Sequence, residues 1–115
     1  MSRDYKLYLK DILDSIEKID RYTNNMPYEG FLHNSLVSEA VVRNFEIIGE
    51  AAKNLPNEIK DRASEIPWKE IAGMRDVLIH AYPKVNLEII WKTIKDKMPD
   101  LKIAIKKLLK IISSS

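Results

Sequence analysis

Ser35-Leu36-Val37-Ser38-Glu39-Ala40-Val41-Val42-Arg43-Asn44-Phe45-Glu46-Ile47-Ile48-Gly49-Glu50-Ala51-Ala52-Lys53-Asn54-Leu55 is the stretch on which the fold turns. Its apolar residues spread around more than one face of a helix, so the spacing predicts a central helix covered by neighbours on several sides. Gly49 costs helix stability relative to alanine, which predicts a tight helix crossing at that point.

The segments on either side have the character such a helix needs. Pro27, Pro56, Pro67, Pro83 and Pro99 divide the chain into helix-sized pieces, because proline inside a helix removes a hydrogen bond and clashes with the preceding turn. Upstream, Tyr5, Tyr8, Leu9, Ile12, Ile16 and Ile19 recur at three- and four-residue steps, predicting an amphipathic helix over 3–24. Asn24-Asn25-Met26-Pro27 stops it, and the residues through Asn34 read as a connection or short turn. Downstream, 57–65 reads as a short helix or turn. Pro67 then stands near the first position of a helix carrying Trp68, Ile71, Ala72, Val77, Leu78 and Ile79 that should fray near Tyr82. Asn86 can cap a helix through Lys97 with Leu87, Ile90, Trp91 and Ile94 on one face. Pro99 opens the last helix, with a stripe of Leu101, Ala104, Ile105, Leu108 and Ile112. With no strand signals, the expectation is a compact all-α bundle of four to five main helices forming one domain over 1–115.

Composition narrows the function classes. The chain has 115 residues, 45% of them hydrophobic and 31% charged, which is globular rather than disordered. It has no cysteine, which removes disulfides, thiol catalysis and cysteine-ligated metals, and its two histidines cannot alone make a structural zinc site. Its three glycines are too scattered for a dinucleotide or phosphate-binding loop. No metal or cofactor is expected. Nothing approaches about 18 consecutive uncharged apolar residues, so no membrane association is expected and a cytoplasmic location is. Net charge is +2, unevenly spread: residues 84–115 hold eight lysines against three acids. Lys102, Lys106, Lys107 and Lys110 on the last helix are read either as a solvated lysine face or as contacts for RNA or an acidic partner.

Chemistry concentrates in Gly73-Met74-Arg75-Asp76-Val77-Leu78-Ile79-His80-Ala81-Tyr82-Pro83. Arg75 offers a permanent cation with a planar donor fork suited to phosphate. His80 can give or take a proton near neutrality. Asp76, one turn before His80, is placed to orient or stabilise the imidazole if the helix persists. Arg75 and His80 are five positions apart, about 140° on an ideal helix. Both reach one phosphate only if the helix distorts near His80, which Pro83 would favour, or if a second subunit closes the site. On spacing alone, Arg75, Asp76 and His80 also fit a surface ion-pair set, and Tyr82 a core aromatic.

Ile66-Pro67-Trp68-Lys69-Glu70-Ile71-Ala72-Gly73-Met74-Arg75-Asp76 through Leu78-Ile79-His80-Ala81-Tyr82 resembles the signature of the HepT-like HEPN toxins, whose hallmark is Arg, four residues, His, one residue, Tyr. The block 40–53 resembles that family's second long helix, and Trp91 through Pro99-Asp100-Leu101 its closing helices. The likeness covers nearly the whole chain. It implies a two-fold homodimeric endoribonuclease toxin that needs no metal, with an RNA substrate and Arg75 and His80 catalytic. It also implies a minimal nucleotidyltransferase antitoxin as partner, which transfers AMP from ATP to Tyr82. Where the family often has Asn, this chain has Asp76, an anion beside the reacting phosphate. A rival from another class is a non-catalytic helical module that binds a nucleotide or positions substrate for a nucleotidyltransferase; a plain helical dimerisation protein is a third.

Overall fold

The computed structural model describes residues 4–81 and 86–113, with the side chains of Val77, Ile79, His80 and Ala81 outside the description. The helices are α1 (Tyr5–Thr23), α2 (Tyr28–Leu32), α3 (Ser35–Asn54), α4 (Asn57–Lys60), a 3₁₀ turn (Asp61–Ala63), α5 (Trp68–Ala81), α6 (Leu87–Asp96) and α7 (Met98–Ser113). There is no strand among the described residues. Five substantial helices thus make an all-α bundle, as the periodicities predict. The radius of gyration, 14.3 Å, is near the roughly 13 Å of a compact chain this long.

Local chemistry accounts for the helix ends. The Asp4 carboxylate accepts from Lys6 N at 2.9 Å to cap α1, the Asn34 amide oxygen accepts from Val37 N at 3.1 Å to cap α3, and Asn86 accepts from Ile89 N at 3.2 Å to cap α6. Asn25 has φ 59°, a left-handed geometry that asparagine tolerates, and the chain turns there. Pro67 immediately precedes α5, and its carbonyl accepts from Ile71 N at 3.1 Å. The fraying expected at Tyr82 falls outside the described residues.

α3 is central: its most extensive packing is against α1 on one side and α5 on the other, while α7 closes over α1 and α6 over α7. Val41, Phe45, Ile48, Ala51 and Ala52 of α3 are buried together with Leu9, Ile12, Ile16 and Ile19 of α1 and Ile105, Leu108 and Ile112 of α7. Trp68 is buried at the start of α5, and its indole N–H is shared between the carbonyls of Lys60 at 3.2 Å and Ala63 at 3.1 Å. That bond pins the α4 and 3₁₀ segment under α5 and satisfies the one polar atom of the ring.

Three expectations need correction. The segment before Asn34 contains a helical turn, α2, because Phe31 is fully buried and stacks on Trp91 of α6 with ring centroids 5.1 Å apart. Tyr28 flanks the same ring at 6.0 Å. Leu36 is 79% exposed: it lies in the first turn of α3, before the helices that cover it converge. Tyr5 is likewise exposed, at the start of α1 where the stripe runs out of partners.

Candidate active site

The site begins where α3 and α5 approach closely. A Cβ placed on Gly49 would lie 2.7 Å from Arg75 Cβ, 3.1 Å from Arg75 N and 3.1 Å from Ile71 O. Ordinary carbon contacts are about 3.5–4.0 Å, so a side chain there would wedge the helices apart. The tight crossing expected at Gly49 therefore exists, and the helix it admits is α5 at Arg75.

This approach brings a carboxylate to the arginine. Glu50 follows Gly49, and its Oε2 lies 2.5 Å from Arg75 Nε. On the other edge of the guanidinium, Arg75 Nη1 donates to Asp76 Oδ1 at 3.2 Å. Arg75 is 31% exposed and Glu50 50%, so the pair is open enough to solvent to add little to stability. What it does is orient: two nitrogens are held by two carboxylates, and no acceptor among the described residues bonds Nη2. Among the described contacts, the Nη2 donors are those left for an oxyanion. The group of one cation and two anions carries net −1, which weakens its long-range pull on a polyanion.

Sequence reasoning assigned Glu50 no role. The signal was present in its position, a charged residue directly after the glycine that marks the crossing, but nothing local says which cation lies across the gap. The Asp76 carboxylate accepts from Arg75, and the support expected from it for the His80 imidazole falls outside the described residues. α5 is helical through Ala81 and so includes His80; the distortion expected near Pro83 falls outside the described residues. The His80 side chain and all of Tyr82 lie outside the described residues.

The four lysines of α7 separate. Lys102 Nζ donates to Asp20 Oδ2 at 2.9 Å, joining α7 to α1. Its pKa is raised, most by that hydrogen bond; burial opposes the rise, and the charges of Asp20 and then Glu17 add to it. Lys102 is thus paired within the chain, at a partly exposed edge of α1 and α7. Lys106, Lys107 and Lys110 are exposed along the helix.

A cleft of about 540 Å³ lies beside the first half of α5, floored by Phe45 and Ile48 and reaching Met98 and Leu101 of α7. Its margin carries Glu65, Glu70 and Asp100 against Lys97 alone, a balance that repels phosphate. No group of three or more His, Asp or Glu among the described residues is arranged to hold a metal ion. No helix among them is long and apolar enough to cross a membrane.

With this geometry established, the likenesses to known proteins become informative. The chain is 48% identical over 110 residues to a protein of Thermococcus cleftensis named "Probable ribonuclease HepT", covering 96% of this chain and all of that one. It is 44% identical over 110 residues to a protein of Methanocaldococcus jannaschii named as a candidate RNase, covering 96% and 91% of the two chains. A candidate RNase of Caldanaerobacter subterraneus is 46% identical over 102 residues, covering 89% and 91%. No solved structure matches. The family described as ribonuclease HepT-like matches residues 12–108, a span from within α1 to within α7 that includes the crossing of Gly49 with Arg75, and the chain belongs to that family.

Proposed function

We propose that this member of a ribonuclease family is a metal-independent endoribonuclease toxin of a toxin–antitoxin pair, acting in the cytoplasm as a single-domain, two-fold homodimer. The observation that carries the reading is Arg75: its guanidinium is held at Nε and Nη1 at the α3–α5 crossing, and no acceptor among the described residues bonds Nη2. That is the donor arrangement for a phosphate oxygen. His80 lies five positions further along the same continuous helix.

An uninterrupted helix directs positions 75 and 80 about 140° apart. One chain therefore cannot aim both at one phosphate, and a second copy supplies the missing group. In such a cleft one His80 takes the proton of a ribose 2′-hydroxyl, the 2′-oxygen attacks phosphorus, and the 5′-oxygen leaves with a proton from the other His80. Arg75 stabilises the charge that builds on the phosphoryl oxygens. A nucleotidyltransferase antitoxin silences the enzyme by transferring AMP from ATP to the Tyr82 hydroxyl, placing a bulky anion beside the site and repelling RNA.

Arg75→Ala and His80→Ala are expected to abolish RNA cleavage and growth inhibition without changing the helical circular dichroism. Tyr82→Phe keeps the ring but lacks the acceptor hydroxyl; it is expected to stay toxic and escape the antitoxin. Equal cleavage by wild type and the Arg75→Ala, His80→Ala double variant overturns the enzyme and leaves a non-catalytic nucleotide-binding or substrate-positioning module. A strictly monomeric species in sedimentation that retains full cleavage overturns the dimer.

A further inference from the structure

We infer that Glu50 is a positioning residue for the cleavage step, holding the Arg75 guanidinium in the orientation that receives the phosphate while lowering the protein's affinity for RNA. The inference rests on the reading of Arg75 as the phosphate-holding group. Arginine is a long side chain with substantial rotamer entropy, and a partly exposed one samples many orientations unless something holds it. Here the stem passes the α3 backbone at Gly49, where the helices are too close for any Cβ. Glu50, next along the central helix, engages Nε, and Asp76 engages Nη1. Because Nε is the nitrogen nearest the stem, fixing it sets the plane of the whole fork. Asp76 is the neighbouring residue on Arg75's own helix and moves with it; Glu50 is on a different helix and ties the fork to the core of the bundle.

The same carboxylate has an opposite effect on binding. With Glu50 and Asp76 both ionised, the cation is overcompensated, so Glu50 subtracts from attraction for RNA while adding to the geometry of the step. A residue that merely holds α3 to α5 carries the same charge but affects the rate only through stability. The two roles part in kinetics: an orienting group appears in kcat, and removing its charge tightens binding.

The test uses the full chain with fluorescein-labelled single-stranded RNA of mixed sequence for cleavage and its 2′-O-methyl form for binding by anisotropy. Glu50→Ala is expected to lower kcat about 10- to 100-fold while the 2′-O-methyl RNA binds about threefold more tightly, the scale of one screened charge removed. Glu50→Gln keeps an oxygen that accepts from Nε without the charge; it should restore kcat to within about threefold of wild type while retaining the tighter binding. Wild-type kcat in Glu50→Ala overturns the inference, as does a Glu50→Gln rate as low as that of Glu50→Ala. Parallel loss of melting temperature, binding and rate in both variants also overturns it, because that is the mark of a structural role. Arg75→Ala runs alongside. If it cleaves as fast as wild type, the reading of Arg75 falls and the inference falls with it; if it is inactive while Glu50→Ala is unimpaired, only the inference falls.

Discussion

Replacing Gly49 by alanine puts a methyl group where α3 and α5 touch. The new Cβ would sit 2.7 Å from Arg75 Cβ and 3.1 Å from both Arg75 N and Ile71 O. None of these atoms can swing aside, since two are backbone and the third is the root of a side chain. Against ordinary carbon contacts of about 3.5–4.0 Å the shortfall is about 1 Å, so the helices must part by roughly that amount. Overpacking of this kind costs about 1–3 kcal/mol, and alanine's better helix propensity returns about 1 kcal/mol. The net expectation is a loss of about 1 kcal/mol, a fall in melting temperature of about 4 °C for a domain this size. Glu50 and Arg75 stand on opposite sides of the opened gap, so the fork shifts by a similar distance and cleavage should fall about 10- to 100-fold at a temperature where both proteins are folded. Gly73→Ala is the control: its Cβ meets nothing within 4 Å, so propensity alone acts and stability should rise by up to about 1 kcal/mol. Thermal melts followed by circular dichroism, with RNA cleavage on the same samples, decide the matter. A Gly49→Ala protein that melts at or above wild type and cleaves at full rate refutes the close-crossing argument.

Further expectations concern the rest of the bundle. Lys102→Met should lose about 0.5 kcal/mol at pH 8 by urea unfolding, the worth of a solvent-screened pair. Because the folded-state pKa of Lys102 is raised above 10.5, its contribution is complete below that pH and disappears as pH climbs through the folded value, so the gap between variant and wild type should close in strong alkali. Trp68→Phe removes the donor shared by the Lys60 and Ala63 carbonyls and should lower the unfolding free energy by about 1–3 kcal/mol, moving the urea midpoint down without changing the slope. Lys106→Glu with Lys107→Glu should weaken RNA or antitoxin binding at low salt and leave it unchanged at high salt; no change at low salt shows these lysines to be a solvated face. Wild-type protein treated with EDTA should cleave at its original rate, and loss of cleavage restored by a divalent cation would reject the metal-independent reading.

The helices were legible in the sequence because what makes them is local. The 3.6-residue period of Leu9, Ile12, Ile16 and Ile19, the cap at Asn86 and the proline ahead of Trp68 each act within a turn or two of chain, and the structure puts α1, α6 and α5 where those signals stand. The all-round apolar character of 35–55 likewise made α3 central, and Gly49 announced a crossing without saying with what. Arg75, His80 and Tyr82 were legible as a motif, since their spacing along one segment is itself a sequence property. Which groups meet across helices was not. Lys102 was one lysine in a row of four until α7 folded over α1 and set it against Asp20, 82 positions away. Phe31 looked like part of a connection until Trp91 gave it a ring to stack on. Glu50 was one acid among many until the crossing at Gly49 set it against Arg75. Each of these pairings depends on the register and distance at which two helices pack, and that is decided by the fit of whole side-chain surfaces rather than by any residue's neighbours in the chain.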